Sequence, residues 1–166
     1  QSSLADQIEI RLGTLGKAIG AAGGFVCGSQ RLIDLLVNKA RSFIFSTAPS
    51  PLVSAAALAG VSLIQSDEGK VRRNKLWKVL EQLKKGVVSQ GWPFVPEASV
   101  ILPLIMSNET KAMSAMNELR DSGFYIPAIR YPTVPRNAAR LRITVSASHN
   151  REDIDSLLSA LDCITR

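Results

Sequence analysis

Gly13-Thr14-Leu15-Gly16-Lys17-Ala18-Ile19-Gly20-Ala21-Ala22-Gly23-Gly24 places five glycines in twelve residues. Glycine loses the most backbone entropy on folding, so this run makes a poor helix. Such a run is kept where a backbone must turn sharply or come close to another group. Ahead of it, Ile8-Glu9-Ile10-Arg11-Leu12 alternates apolar and polar side chains, which is the period of a strand. Lys17 therefore reads as an amine held at the end of a strand. If partly shielded from water there, it can lose its proton and attack a carbonyl. A solvated loop lysine fits the same spacing. A nucleotide-phosphate loop does not: GxxxxGK must be followed by Ser or Thr, and Ala18 follows Lys17. GxGxxG is absent as well, so nothing points to a dinucleotide fold.

Outward from that run, the polar stretch 2–7 reads as a lead-in and Gly23 to Cys27 as a second strand that turns at Gly28. Ser29 is a good N-cap for a helix carrying Leu32, Ile33, Leu35 and Leu36. Phe43-Ile44-Phe45 reads as a short β-like run. Pro49 and Pro51 open an Ala-rich helix through Ile64, apolar enough to be buried and too short to cross a bilayer. Asp67 opens a long basic helix that ends between Gly86 and Gly91.

Beyond it the texture becomes α+β, with three strands and two helices. Ser99 to Met106 is β-rich, with Pro103 favouring an edge position. Ala112, Met113, Met116 and Leu119 mark a helix closed at Gly123. Phe124 to Arg130 reads as a strand, and Tyr131-Pro132-Thr133-Val134-Pro135 as an extended loop stiffened by two prolines. Leu141, Ile143 and Val145 alternate with Arg142 and Thr144, which makes a strand with one apolar face. Ile154, Leu157, Leu158 and Leu161 give the last helix its spacing. Arg142 reads either as a surface arginine on a half-exposed sheet or as a guanidinium fork for a carboxylate.

The 166 residues are 46% apolar and 20% charged, which allows a real core and argues against global disorder. The net charge is +6. Much of the excess lies in Lys70, Arg72, Arg73, Lys75, Lys78, Lys84 and Lys85. These interleave with Val71, Leu76, Val79, Leu80 and Leu83 at helical spacing, so the cluster reads as the wet face of an amphipathic helix. A nucleic-acid module would need that face to be functional, and no basic–aromatic interleaving supports one. Cys27 and Cys163 have no metal-ligand spacing and imply no disulfide framework, so no metal is expected and a reducing compartment, the cytoplasm, is. No run is long enough for a membrane span.

Residues 13–18 with Gly23-Gly24 resemble the cofactor-lysine segment of the α-oxoamine synthases. These are pyridoxal-phosphate enzymes of the aspartate-aminotransferase-like fold, also called fold type I. The resemblance continues, in family order, through Arg41 to Pro49 and through Ser66-Asp67-Glu68-Gly69. It is strongest over Ala128 to Pro135 and Ala139 to His149. It implies an α/β fold: the C-terminal part of such a transferase, with residues 1–90 finishing the large cofactor domain and 91–166 forming a small α+β domain. It implies pyridoxal 5'-phosphate as cofactor and Lys17 as the residue that attaches it and shuttles the substrate α-proton. Thr14 would bind the cofactor phosphate, and Ser46 and Thr47 would approach the phosphate of a neighbouring subunit in a homodimer. Arg142 would bind the amino-acid carboxylate and Thr133 would line the substrate site. His149 matches the family pattern and is expected to be structural, capping the final helix.

Within the family, the tail is most similar to members that condense L-alanine with pimeloyl-coenzyme A, with decarboxylation. A glycine and acetyl-coenzyme A enzyme is the nearest rival. A non-catalytic partner subunit of a serine palmitoyltransferase-like complex is another, though such subunits typically lack the cofactor lysine. No nucleic-acid or membrane partner is expected. Family members carry, upstream of this lysine, an aromatic ring stacked on the cofactor and an aspartate paired to its ring nitrogen. Neither can be found here, and His149 is the single histidine. The chain is therefore expected to be inactive alone.

Overall fold

In a computed structural model, residues 7–93 and 99–164 are described, except for the side chain of Ser107. Of the expected lead-in over 2–7, all but Gln7 lies outside the described residues. The chain divides into two compact units, Gln1–Lys70 and Val71–Arg166.

The first unit opens on an antiparallel hairpin, β1 (Arg11–Thr14) and β2 (Gly24–Cys27), paired from Arg11↔Cys27 to Thr14↔Gly24. The strand expected over Ile8–Leu12 forms three residues later than its alternation suggested. The reason is the partner: β2 offers its edge to residues 11–14. Gly13 faces Phe25 across the pair, and a Cβ there would meet the Phe25 ring at 2.3 Å, so glycine lets the ring lie over the strand.

Helix α1 (Gln30–Lys39) starts at Ser29, whose hydroxyl accepts from the Leu32 N–H at 3.3 Å. In the β-like run 43–45, Phe43 and Ile44 instead belong to α2 (Arg41–Ile44), a single helical turn, and Phe45 is its C-cap. The Ile44 and Phe45 N–H groups bond the Ala40 and Arg41 carbonyls at 3.0 Å, and the Arg41 guanidinium lies 5.1 Å from the Phe45 ring centre. Local bonds satisfy this backbone; β propensity alone supplies no partner strand. Helix α3 (Pro51–Gln65) has Ser50 as N-cap and Pro51 in its first turn. Its expected burial is not found: Leu52 is 82% and Leu58 69% exposed. Apolar on every side, α3 has more surface than a hairpin and two short helices can enclose. Among the described residues of this unit, Gly69 is the one buried position.

Helix α4 (Asp67–Ser89) is the amphipathic basic helix, and its Val79, Leu80, Leu83 and Val87 belong to the core of the second unit. On the wet side, Lys85 Nζ meets Glu81 Oε1 at 2.8 Å. That hydrogen bond and charge hold the Glu81 carboxyl below the ordinary carboxylate range. The stabilisation from this exposed pair is present above the ordinary carboxylate pKa and is lost as pH falls below it.

The expected three strands and two helices follow. They are β3 (Ile101–Ser107), α5 (Glu109–Asp121), β4 (Ala128–Ile129), β5 (Ala139–Thr144) and α6 (Arg151–Asp162). The sheet is antiparallel in the order β3-β5-β4, with Pro103 on an edge strand as expected. Of the strand expected over Phe124–Arg130, only β4 pairs as one. Before it the chain runs beside β5, where the Arg142 N–H bonds the Pro127 carbonyl at 3.0 Å. Leu141 and Ile143 point into the core with Leu102, Leu104, Leu119, Leu157 and Leu161. Each fully buried leucine contributes about 1.5–3 kcal/mol. At Gly86 the helices α4 and α6 meet closely: a Cβ there would sit 2.3 Å from Leu158 Cδ1. Gly86→Val is expected to cost about 1–3 kcal/mol by overpacking. Urea unfolding followed by Trp fluorescence measures it, and an unchanged midpoint would contradict this packing.

Candidate active site

The turn between β1 and β2 is built by a small set of backbone bonds. The Leu15 N–H donates to the Gly23 carbonyl at 2.9 Å and the Ala21 N–H to the Leu15 carbonyl at 2.9 Å. The Gly20 N–H donates to the Lys17 carbonyl at 3.0 Å, and Gly20 and Gly23 take φ of 72° and 98°. Two positions thus need left-handed backbone, which explains glycine at both. Thr14 Oγ1 accepts from the Gly16 N–H at 3.2 Å, so the hydroxyl is folded over the start of the turn. Lys17 is exposed at the turn's tip. The loop rests on α3 at Gly60, where a Cβ would lie 2.3 Å from the Ile19 carbonyl oxygen.

This donor set fits an aldehyde bearing a phosphate. The Lys17 amine can take the carbonyl carbon, and the Thr14 hydroxyl lies beside a glycine turn suited to phosphate oxygens. Ser46 and Thr47 follow α2 in the same unit, both exposed. The Ser46 hydroxyl is turned back on the Phe43 carbonyl at 3.2 Å.

The other expected residues lie in the second unit. Arg142 stands on the exposed face of β5, opposite Leu141 and Ile143, as the alternation required. Its guanidinium makes no hydrogen bond or ion pair among the described residues. Arg140 on the same face differs: it is half-buried, and its Nε donates to the Ala138 carbonyl at 3.0 Å. Thr133 is exposed in a turn closed by its N–H on the Arg130 carbonyl at 3.0 Å. Arg136 stacks on Tyr131 at 4.5 Å and braces that loop.

A cavity of about 580 Å³ opens beside β5, lined by Arg142, His149 and Asp153 with Tyr125, Ile126 and Leu157 among the rest. Thr133 does not line it. Sequence reasoning missed this role for His149. The ring does not cap α6: Asn150 does, in a capping box with Asp153. His149 Nδ1 instead accepts from the Ser146 N–H at 3.1 Å. The signal available was the position of His149 just after the Arg142 strand, on the return of the chain past its end.

The model of the aminotransferase class I and II family matches residues 1–161. The chain belongs to that family. An 8-amino-7-oxononanoate synthase of Anaeromyxobacter dehalogenans is 40% identical over 156 residues, covering 94% of this chain and 39% of the relative. A putative 8-amino-7-oxononanoate synthase of Desulfovibrio desulfuricans is 48% identical over 150 residues, covering 90% and 38%. A solved serine palmitoyltransferase, with its pyridoxal phosphate internal aldimine, superposes with TM-score 0.89 at 26% identity, over 98% of this chain and 41% of that one. The fold is thus that of the fold type I transferases, and the cofactor implied by resemblance is borne out in a neighbour that carries it. The chain spans about two fifths of the length of the curated relatives it matches. No helix among the described residues is long and apolar enough to cross a membrane.

The seat at Gly60 gives a test. Gly60→Val would push the turn off α3, at about 1–3 kcal/mol. Tryptic cleavage after Lys17, followed by mass spectrometry, is expected to quicken. Unchanged cleavage would mean that α3 does not hold the turn.

Proposed function

We propose that this chain is the C-terminal portion of a pyridoxal-phosphate acyltransferase that joins L-alanine to pimeloyl-coenzyme A. Coenzyme A and carbon dioxide leave, and 8-amino-7-oxononanoate is formed, a step of biotin synthesis. The observation that carries this is the 40–48% identity to proteins of that name over at least 90% of this chain, across the Lys17 turn and the Arg142 strand. The serine palmitoyltransferase likeness, at 26% identity, supports the chemistry but not that acyl donor. The presence of Lys17 speaks against a non-catalytic partner subunit, and the glycine and acetyl-coenzyme A reaction stays the alternative to be tested.

In this reading Lys17 Nζ attaches the cofactor and, once released, moves the α-proton of the amino acid. When bound, pyridoxal phosphate supplies the electron sink that makes this proton removable. Thr14 donates its hydroxyl proton to the phosphate from the start of the turn, while its oxygen can keep accepting from the Gly16 N–H. Ser46 and Thr47 serve the phosphate of a second subunit, so the working form is a homodimer. Arg142 grips the amino-acid carboxylate with a planar fork, which is unengaged among the described residues. Thr133 lines the substrate path from its braced loop. Functionally, residues 1–90 close the cofactor domain, with α4 as connecting helix, and 91–166 are the small domain. The site of action is the cytoplasm.

Lys17 is solvent-exposed here, and a proton-moving amine works best where water is excluded. The 166-residue chain by itself is therefore expected to show no turnover, and the decisive measurement uses the whole polypeptide. Borohydride reduction after adding pyridoxal phosphate is expected to mark Lys17 in the peptide map; a mark on another lysine with Lys17 unmodified would refute the reading. Lys17→Ala should lower kcat by roughly 100- to 10,000-fold. Arg142→Lys replaces a fork by a point charge and should raise the KM for alanine about tenfold or more. A screen of alanine and glycine against pimeloyl- and acetyl-coenzyme A separates the two acyl-transfer readings.

A further inference from the structure

We propose that His149 is a second polar contact for the anion in the cavity beside β5. An aliphatic carboxylate there would be held by the Arg142 guanidinium and the His149 Nε2–H together. This rests on the reading of Arg142 as a carboxylate ligand and adds to it.

The argument starts from the ring's tautomer. The Ser146 N–H donates to Nδ1 at 3.1 Å, so Nδ1 is the acceptor and the neutral ring carries its proton on Nε2. The turn that holds the ring is itself tied: the His149 N–H bonds the Ser146 carbonyl at 3.3 Å, and the Ser148 N–H bonds Ser146 Oγ at 3.3 Å. The start of α6 does not need the ring. Asn150 Oδ1 accepts from the Asp153 N–H at 2.9 Å, and Asp153 Oδ2 accepts from the Asn150 N–H at 2.8 Å. The imidazole is half-buried against the cavity, and its Nε2 donor has no partner among the described residues. A fixed, partly desolvated donor is worth most to a ligand that accepts it.

The cavity wall sets the ligand class. Arg142 brings the positive charge. Asp153, the carboxylate on the wall, already has one oxygen engaged in the capping box. Phe124, Ile126 and Leu157 make much of the remainder, which suits a short carbon chain behind the charged group. Two carboxylates share this chemistry: that of a small amino acid, and the free end of a dicarboxylic acyl chain. L-Alanine and pimelate serve as the two probes.

His149 is the single histidine of the chain, so its imidazole nitrogens can be followed by NMR without assignment ambiguity. In the 15N-labelled 166-residue chain, the Nε2 resonance is expected to shift on adding one of the probes and to stay put with sodium chloride at equal ionic strength. Two variants separate a ligand contact from a structural ring. His149→Asn can keep an acceptor for the Ser146 N–H but loses the Nε2 donor, and should weaken binding about tenfold in calorimetry. His149→Gln can place an amide N–H near the Nε2 position and should bind within about threefold of the parent. The reverse ranking, Asn binding normally and Gln failing, would show that the ring only fastens the turn and would overturn the proposal. Binding weakened by Arg142→Gln, with no movement of Nε2, would leave the Arg142 reading standing and end this one. No binding of either probe to the parent chain would overturn this proposal, while the Arg142 reading is judged separately by the KM of Arg142→Lys in the whole polypeptide.

Discussion

The turn that carries Lys17 can lie on α3 because residue 60 has no side chain. The Ile19 carbonyl approaches the helix so closely that even a methyl group would collide with it. The remaining features of the hairpin follow from that seat. Two left-handed glycines, Gly20 and Gly23, bring the chain back to β2 within the length available. Gly13 clears space for the Phe25 ring, and the Thr14 hydroxyl is left at the mouth of the turn. A glycine-rich segment reads as flexible in isolation. Here its glycines have two separate uses: Gly13 and Gly24 allow close approach across the hairpin, and Gly20 and Gly23 supply left-handed backbone.

The two units obey different energetics. Residues 71–166 close a core in which Leu83, Leu104, Leu141 and Leu161 are fully buried. Residues 7–70 bury almost nothing: Phe45, Leu52 and Leu12 are 74%, 82% and 79% exposed. Apolar area left in water forfeits the largest favourable term in folding. The first unit therefore holds its elements by local devices, the Ser29 and Ser50 caps and the hairpin ladder, with little packing behind them. The proposal that these residues are one layer of a larger cofactor domain accounts for that imbalance.

Much of this was legible in the chain, and the misses share a cause. Helix boundaries followed from caps and punctuation, as at Ser29, Pro51, Asp67 and Gly123. The alternation at 141–145 placed Arg142 opposite the core before any coordinates. What failed was inference about partners. Residues 43–45 have strand propensity but bond locally. Helix α3 has the composition of a core helix, but beyond its contact with the Lys17 turn much of it stays exposed, Leu52 and Leu58 most of all. Phe124–Pro127 runs beside β5 without entering its ladder. Periodicity reports which face a residue is on; it does not report what lies across from that face. The site divided in the same way. Lys17 stood out by its glycine-rich setting after a strand, and Thr14 was named by the family resemblance. His149 did not stand out, because its place beside Arg142 depends on how the chain returns past the end of β5.

That return also depends on register. Along β5, side chains alternate between the core and the more exposed face, so a slip of one residue would bury Arg142 and expose Leu141. The pairing Pro103↔Arg142 and Leu104↔Leu141 prevents it, because Leu104 and Leu141 must reach the core together. The register shifts between Ile105 and Ser107, at the far end of the ladder from Arg142, so the pairing at Arg142 itself stays regular. Two arginines then share one face with different fates. Arg140 is folded onto the Ala138 carbonyl and half-buried, which uses its fork within the protein. Arg142, two residues on, stands exposed with its guanidinium unengaged among the described residues, while its backbone N–H is held by the Pro127 carbonyl.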